Sequence, residues 1–436
     1  MNQAIDPSTL PPIKPGVNKP VSLADVGISL PLLQSLVLKH LSDGDVLTLN
    51  SLSDRLSLPG NLVQQLLDKC KQESLVENKQ TTSDGQMRYT LSHTGRTQAE
   101  TAFLKSGYLG PVPVPLDQYW QVCRDQSSRR QTMTRPRIER ALGALILPHR
   151  LMEEIGPALN SRRPVLIYGP PGTGKSYLCR HFNLVLGDDV LIPHALCIGQ
   201  AIIQVFDPQI HELHETDSDE QENPLLLSEG HDARWHRCRR PLLVVGGELN
   251  RDMLNVHYDS NSRTYHAPIG LKANNGILLI DDLGRQQITP KEIFNRWIVP
   301  MEESRDFLSL PSGEHFDVPF EQILLFSTNL DPKELVDDAF LRRLGYKIEF
   351  SALEKDQFID IWRQNCEELK LNFDSGVCDW MINTLYARTG KPLLPCHPRD
   401  LLSIVADQIS YNELPAVVTQ QLIERAWSIY FVSSAR

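Results

Sequence analysis

The sequence predicts an α/β chain with three parts: a parallel-sheet core, an all-helical C-terminal segment and a small domain of helices and a hairpin in front. Three observations carry this. Between Val165 and Phe350 short apolar runs alternate with stretches of helical periodicity, the signature of a sheet built through helical crossovers. Beyond Ser351 the apolar spacing is helical throughout. Ahead of residue 108, three helical patterns are followed by two short extended runs.

Taken in order, residues 1–22 come first, with five prolines among the first twenty and little hydrophobicity, so a disordered or extended arm is expected. Residues 23–108 follow as a compact domain. Apolar residues recur at helical spacing in Leu32–Leu41, Leu49–Leu56 and Leu62–Cys70, and Ser57-Leu58-Pro59-Gly60-Asn61 is a turn that caps the third helix. Extended runs at Leu75–Asn78 and Met87–Leu91, joined across Asp84-Gly85, read as a hairpin. A helix near Thr94–Leu104 closes the domain. Three helices and a hairpin in this order resemble a winged helix, a variant of the helix-turn-helix. The strip Gly110-Pro111-Val112-Pro113-Val114-Pro115 opens a stiff linker over 109–135.

The α/β domain spans 136–350, with candidate strands at Val165–Tyr168, Val190–Ile192, Leu242–Val245, Ile277–Ile280, Ile323–Ser327 and Lys347–Phe350. Residues 351–436 form a helical lid that starts at a capping-box pattern of Ser351 and Glu354. No internal repeat is visible.

Composition narrows the class. The 436 residues are 41% hydrophobic and 22% charged, as in ordinary globular proteins of two or three domains. No apolar run approaches the roughly 18–20 residues of a membrane helix, and no basic-then-apolar leader opens the chain, so membrane insertion is not expected. Eight cysteines lie scattered without a C-x-x-C pair, which points to reduced thiols and a cytoplasmic setting. A net charge of −10 argues against non-specific nucleic-acid binding.

The sharpest local feature follows the strand at Val165–Tyr168. Gly169-Pro170-Pro171-Gly172-Thr173-Gly174-Lys175-Ser176 is a complete G-x-x-x-x-G-K-S loop, and Tyr177–Leu186 continues it as a helix. Strand, glycine loop and helix together form a phosphate cradle: backbone N–H groups point inward and the helix N-terminus adds a positive dipole. Residues Gly169 to Tyr177 are therefore the candidate ATP-binding segment, with Lys175 on the β- and γ-phosphates and the Ser176 hydroxyl on Mg²⁺. Independently, Gly276-Ile277-Leu278-Leu279-Ile280-Asp281-Asp282-Leu283-Gly284 is an apolar strand ending in two carboxylates. Asp281 is placed to hold the magnesium, and Asp282 to orient the attacking water.

The loop, the Asp281-Asp282 strand, the strand end Phe326-Ser327-Thr328-Asn329, the pair Arg342-Arg343 and Pro398-Arg399-Asp400 resemble, in this order, the motif set of AAA+ ATPases over residues 140–436. The resemblance implies a ring, six subunits in the family, that hydrolyses ATP with Mg²⁺ between neighbours. It implies that Asn329 caps a strand lying between the two motif strands and bonds the γ-phosphate or the water. It makes Arg343 the arginine finger supplied to the adjacent subunit, with Arg342 as competitor, and Arg399 a nucleotide contact at the start of a lid helix. Many members carry Glu where this chain has Asp282, whose side chain is one methylene shorter. The runs Val244–Leu249, Ile277–Arg285 and Asn295–Pro300 further resemble a bacterial AAA+ group that joins an N-terminal winged helix to this core and has no settled cellular role.

Lys175 and Asp281 lie 106 residues apart, which leaves an insertion over about 195–272. It carries acidic residues (Glu212, Glu215, Asp217, Asp219, Glu220, Glu222), an arginine cluster (Arg234, Arg237, Arg239, Arg240), and His211, His214, His231, His236 and Cys238, whose spacing matches no recognised zinc pattern. The charges pair with each other, meet an adjacent subunit or recognise a client. Tyr258 and Tyr265 are candidates for a pore lining or for packing. Thr289-Pro290-Lys291-Glu292 starts a helix, with cap, N1 proline and N3 glutamate.

The client is expected to be a protein. From Val21 to Gly110 there are eight Lys and Arg against nine Asp and Glu, and the third helix offers only Lys69 beside Asp68 and glutamines. DNA readers show a basic stripe. A DNA-associated ATPase and a slow nucleotide-gated switch are the alternatives.

Overall fold

The computed structural model describes residues 17–79, 87–161, 163–214, 231–335 and 338–431. The Asp84-Gly85 turn, the N-terminal arm through residue 16 and most of the acidic run after Glu212 lie outside them. Two compact units emerge. The first gathers the described residues of Met1–Gln131, Leu186–Leu278 and Gln286–Ile323; the second gathers those of Thr132–Val185, Leu279–Arg285 and Leu324–Arg436.

The first unit begins with α1 (Leu30–Gly44), β1 (Leu47–Thr48), α2 (Leu49–Leu56), α3 (Gly60–Gln72), β2 (Val76–Lys79), β3 (Arg88–Leu91) and α4 (His93–Lys105). Leu33, Leu36, Leu52, Leu66 and Leu67 are at most 1% exposed and form its core. The Thr48 hydroxyl accepts from the Ser51 N–H to cap α2, and Ser92 accepts from Gly95 to cap α4. The third helix starts at Gly60 behind Pro59, without the side-chain cap expected in that turn. The strands form an antiparallel sheet in the order β1-β3-β2.

The proline strip and the insertion are built into this same unit. Strand β4 (Val114–Pro115) pairs in parallel with Leu196 and Cys197 of β7 (Ala195–Ile198), and the Val112 N–H donates to the Leu56 carbonyl. A proline fits there because β4 is an edge strand. The sheet runs β11-β12-β8-β7-β4, with β8 (Ala201–Gln204), β11 (His257–Asp259) and β12 (Thr264–His266) supplied by the insertion. Ala195 and Ile202 from this sheet share one apolar core with α1–α4.

Arg234 fixes the arrangement. Only 1% exposed, it is ion-paired to Asp232 at 2.8 Å and donates to the carbonyls of Val26 (3.0 Å) and Pro113 (3.3 Å) and to the Gln118 side chain (3.3 Å). Arg234→Ala leaves Asp232 buried without its cation. It is expected to lower stability by about 3–5 kcal/mol, read as a fall in the urea midpoint; an unchanged midpoint would show the pair to be dispensable.

The candidate strand Val190–Ile192 is part of β6 (Asp189–Pro193), which pairs antiparallel with β9 (Trp235–Arg239) in a two-stranded ladder of its own. A hairpin of β14 (Arg305–Ser309) and β15 (His315–Pro319) stands where no strand was expected.

The parallel sheet has the order β10-β13-β16-β5-β17, comprising β10 (Leu242–Val245), β13 (Ile277–Ile280), β16 (Ile323–Thr328), β5 (Val165–Tyr168) and β17 (Tyr346–Glu349). Strands β13 and β16 have residues in both units. Ile277–Ile280 is buried at every position, as a central parallel strand covered on both faces must be.

The second unit adds α6 (Arg135–Leu142), α7 (His149–Asn160) and α8 (Lys175–Leu186). Its C-terminal part is helical: α13 (Lys355–Glu368), a run from Ser375 to Thr389 with a π-turn at Met381–Tyr386, α16 (Cys396–Tyr411) and α17 (Gln420–Tyr430). Phe358, Trp362, Met381, Leu401 and Ile423 form its core. The capping box lies three residues later than expected, with Glu354 as N-cap and Gln357 as its partner. The Thr289 cap and the Pro290–Glu303 helix fall where the sequence placed them. Among the described residues no helix is long and apolar enough to cross a membrane.

Candidate nucleotide-binding site

Strand β5 delivers the chain into the glycine loop. Gly169, Gly172 and Gly174 have φ of +142°, +83° and +85°, which a side chain resists, and a Cβ on Gly169 would overlap the Phe350 carbonyl. The Thr173 hydroxyl donates to the Pro170 carbonyl at 2.8 Å and closes the turn. The Lys175 ammonium donates to the carbonyls of Gly169 and Pro170, each at 2.8 Å. Burial lowers its pKa, and the charges of Asp282 and Asp281 oppose that shift. Tyr177 lies on the exposed face of α8, its ring 4.5 Å from that of His181.

The second motif meets the first directly. The Ser176 hydroxyl donates to Asp281 Oδ1 at 2.8 Å. Asp282 has φ +51°, a left-handed conformation uncommon for a residue with a side chain, and its N–H donates to Asp281 Oδ1 at 3.1 Å. Its carboxylate accepts from Asn329 Nδ2 at 2.7 Å. Strand β16, which ends one residue before Asn329, lies between β13 and β5, and this order brings the side chain to Asp282. The turn is pinned to β16: Leu283 N–H donates to the Ser327 carbonyl (2.7 Å), and the Thr328 hydroxyl donates to the Leu283 carbonyl (2.9 Å).

Lys175, Ser176, Asp281, Asp282 and Asn329 thus stand in one constellation. Two hard oxygen donors, the Ser176 hydroxyl and the Asp281 carboxylate, lie side by side next to the glycine loop, a donor set that fits a magnesium ion. Arg342 and Arg343 are exposed at the end of α12 (Asp338–Leu341). Arg399 is exposed in the first turn of α16. One contact had no sequence signal: the Cys396 N–H donates to the Gly172 carbonyl at 3.3 Å, so α16 begins on the loop itself.

The other insertion residues have structural partners. Arg237 pairs with Asp189, Arg239 with Glu212 and Arg240 with Asp188. His211 accepts the Asp207 N–H on Nδ1 and donates from Nε2 to the Lys272 carbonyl; His236 bonds His194, and His231 the Trp235 carbonyl. Among the described residues no group of three metal-ligating side chains gathers. Tyr258 and Tyr265 face each other across β11 and β12, ring centroids 4.9 Å apart.

Residues 354–429 match a family described as a domain of unknown function (DUF8689). No curated protein matches the chain. Among solved structures, the chain is similar to the Thermotoga maritima RuvB Holliday junction branch migration motor, at 12% identity over 69% of this chain and 73% of that one (TM-score 0.38). It is also similar to NtrX from Brucella abortus, at 11% identity over 79% and 62% (TM-score 0.39). The FIGL-1 AAA domain in complex with ADP is similar at 14% identity over 63% and 74% (TM-score 0.30). The class is defined by the chain's own features: an α/β fold with a parallel sheet, one strand of which runs into a glycine-rich loop.

Proposed function

We propose that the chain is a subunit of an AAA+-type ring ATPase that binds ATP with Mg²⁺ and spends its hydrolysis on remodelling or assembling a protein partner. One observation carries this reading: Ser176 bonds Asp281 and Asn329 bonds Asp282 beside the phosphate loop, in a sheet whose order supplies all three strand ends.

The chemistry divides among these residues. Loop N–H groups hold the polyphosphate, and Lys175 exchanges its two carbonyl partners for phosphate oxygens. Ser176 and Asp281 hold the magnesium, which when bound neutralises charge on the phosphates. Asp282 takes the proton of the attacking water, and Asn329 keeps that carboxylate aimed. Arg343, or Arg342 beside it, reaches the nucleotide of the neighbouring subunit, whereas Arg399 contacts the nucleotide on its own chain's loop from the C-terminal helices, which act as a lid. A ring of six follows from the family resemblance. The N-terminal helices and hairpin serve as a winged-helix docking module. Its near-neutral charge favours a protein over DNA.

The Asp282→Asn variant tests the division of labour. It is expected to bind ATP and to hydrolyse it about 10²–10⁴-fold more slowly, so that in ATP it retains a protein client in a pull-down. Duplex DNA at low salt is expected to leave turnover unchanged. Salt-sensitive DNA binding with stimulated turnover, and no retained protein, would replace the protein client with DNA.

A further inference from the structure

The first turn of α16 touches the phosphate loop and carries Arg399, yet few bonds of its own hold it there. Cys396 N–H reaches the Gly172 carbonyl at 3.3 Å, and a Cβ on Gly172 would stand 2.6 Å from Cys396 Sγ. The cap position of α16 is Pro395, with no side-chain cap bond. Two hydroxyls from other helices act on this turn instead. Tyr430, the last residue of α17, donates its hydroxyl to Asp400 Oδ2 at 2.7 Å. Tyr386, from the π-turn, bonds His397 Nδ1 at 2.9 Å in a buried setting. Burial lowers the His397 pKa to about 4, so the ring is neutral near pH 7 and bonds without importing charge beside Arg399.

We propose that Tyr430 is a positioning residue: its hydrogen bond to Asp400, backed by Tyr386 on His397, seats the first turn of α16 on the phosphate loop and so sets nucleotide affinity from the C-terminal helix. The geometry makes this more than packing. The Tyr430 hydroxyl is also 3.9 Å from Cys396 Sγ, so one side chain addresses both ends of the turn. Its ring rests on Phe431 (centroids 4.7 Å) and edges against His397 (5.8 Å). Replacing the hydroxyl alone therefore keeps the packing and removes the bond. A turn left unseated must be ordered when nucleotide binds, and that cost falls equally on the ground state and the transition state. It raises KM and leaves kcat in place.

The inference rests on the nucleotide-site reading above, and two readouts separate them. In the full-length chain, Tyr430→Phe is expected to raise KM for ATP about five- to tenfold with kcat unchanged. It is also expected to speed hydrogen exchange at the amides of 397 and 399–402 without nucleotide. Asp400→Ala is expected to do the same, and the double variant to be no worse than either single one. Tyr411→Phe, at an 88% exposed position, is the control and stays at wild-type values. If ATP binds and Tyr430→Phe shows wild-type KM and exchange, or the two substitutions add, the brace is wrong. If the wild-type chain binds no ATP, the nucleotide reading falls, and the exchange rates alone still decide the brace.

Discussion

Lys175→Ala is expected to bring ATP turnover down by about 10²–10³-fold or more and to weaken ATP binding, measured by phosphate release and by titration with a fluorescent ATP analogue. The lysine ammonium is the cation of the loop, and its present partners are two loop carbonyls that phosphate oxygens replace. Without it the loop offers the phosphates only backbone N–H groups and the magnesium that Ser176 and Asp281 would hold. The Thr173–Pro170 bond and the seat of Gly169 against Phe350 remain without the lysine, while its own bonds to the Gly169 and Pro170 carbonyls are lost, so a wild-type thermal midpoint in the variant separates lost chemistry from a collapsed loop. Wild-type turnover in this variant would place nucleotide chemistry elsewhere.

Arg343→Ala carries the second large effect. Such a variant is expected to bind ATP with little change and to turn it over about 10³-fold more slowly, because the guanidinium stabilises charge that spreads during phosphoryl transfer. Its exposed place just after α12 suits delivery to another subunit. A mixture with Lys175→Ala subunits decides this. Each Lys175→Ala subunit is inert at its own loop but carries an intact Arg343, so activity should return where it sits beside an Arg343→Ala neighbour. Loss of activity without rescue would mean that the arginine acts within its own chain, and loss restricted to Arg342→Ala would transfer the role to that residue.

The site was far more legible in the sequence than the body around it. Val165–Tyr168 and Ile277–Ile280 are contiguous apolar runs that end at the glycine loop and at the two carboxylates, so strand, loop and carboxylates are read from one stretch each. Asn329 was reachable only through the order of motifs, and the strand order shows why it meets Asp282. The inserted sheet was not legible, because its strands have two to four residues and pair across long separations, as Val114 does with Leu196. Val190–Ile192 is legible as a strand but not its partner, because an apolar triplet reads alike in either ladder. The β14–β15 hairpin escaped because Arg305 and Asp306 open a strand whose alternation hides a buried Asp306 paired to Arg296. The Tyr430–Asp400 bond spans thirty residues and leaves no local pattern.

The left-handed backbone at Asp282 costs conformational energy; its N–H on Asp281 and the Leu283–Ser327 bond hold the turn, and Asn329 bonds the carboxylate that the turn presents. The most direct test of the central claim is therefore a paired measurement on Asp282→Asn: ATP affinity in Mg²⁺ and single-turnover phosphate release from the full-length chain. Affinity within a few-fold of wild type with release slowed by about 10²–10⁴-fold is the expected result. Release at the wild-type rate, or loss of ATP binding together with hydrolysis, would contradict it.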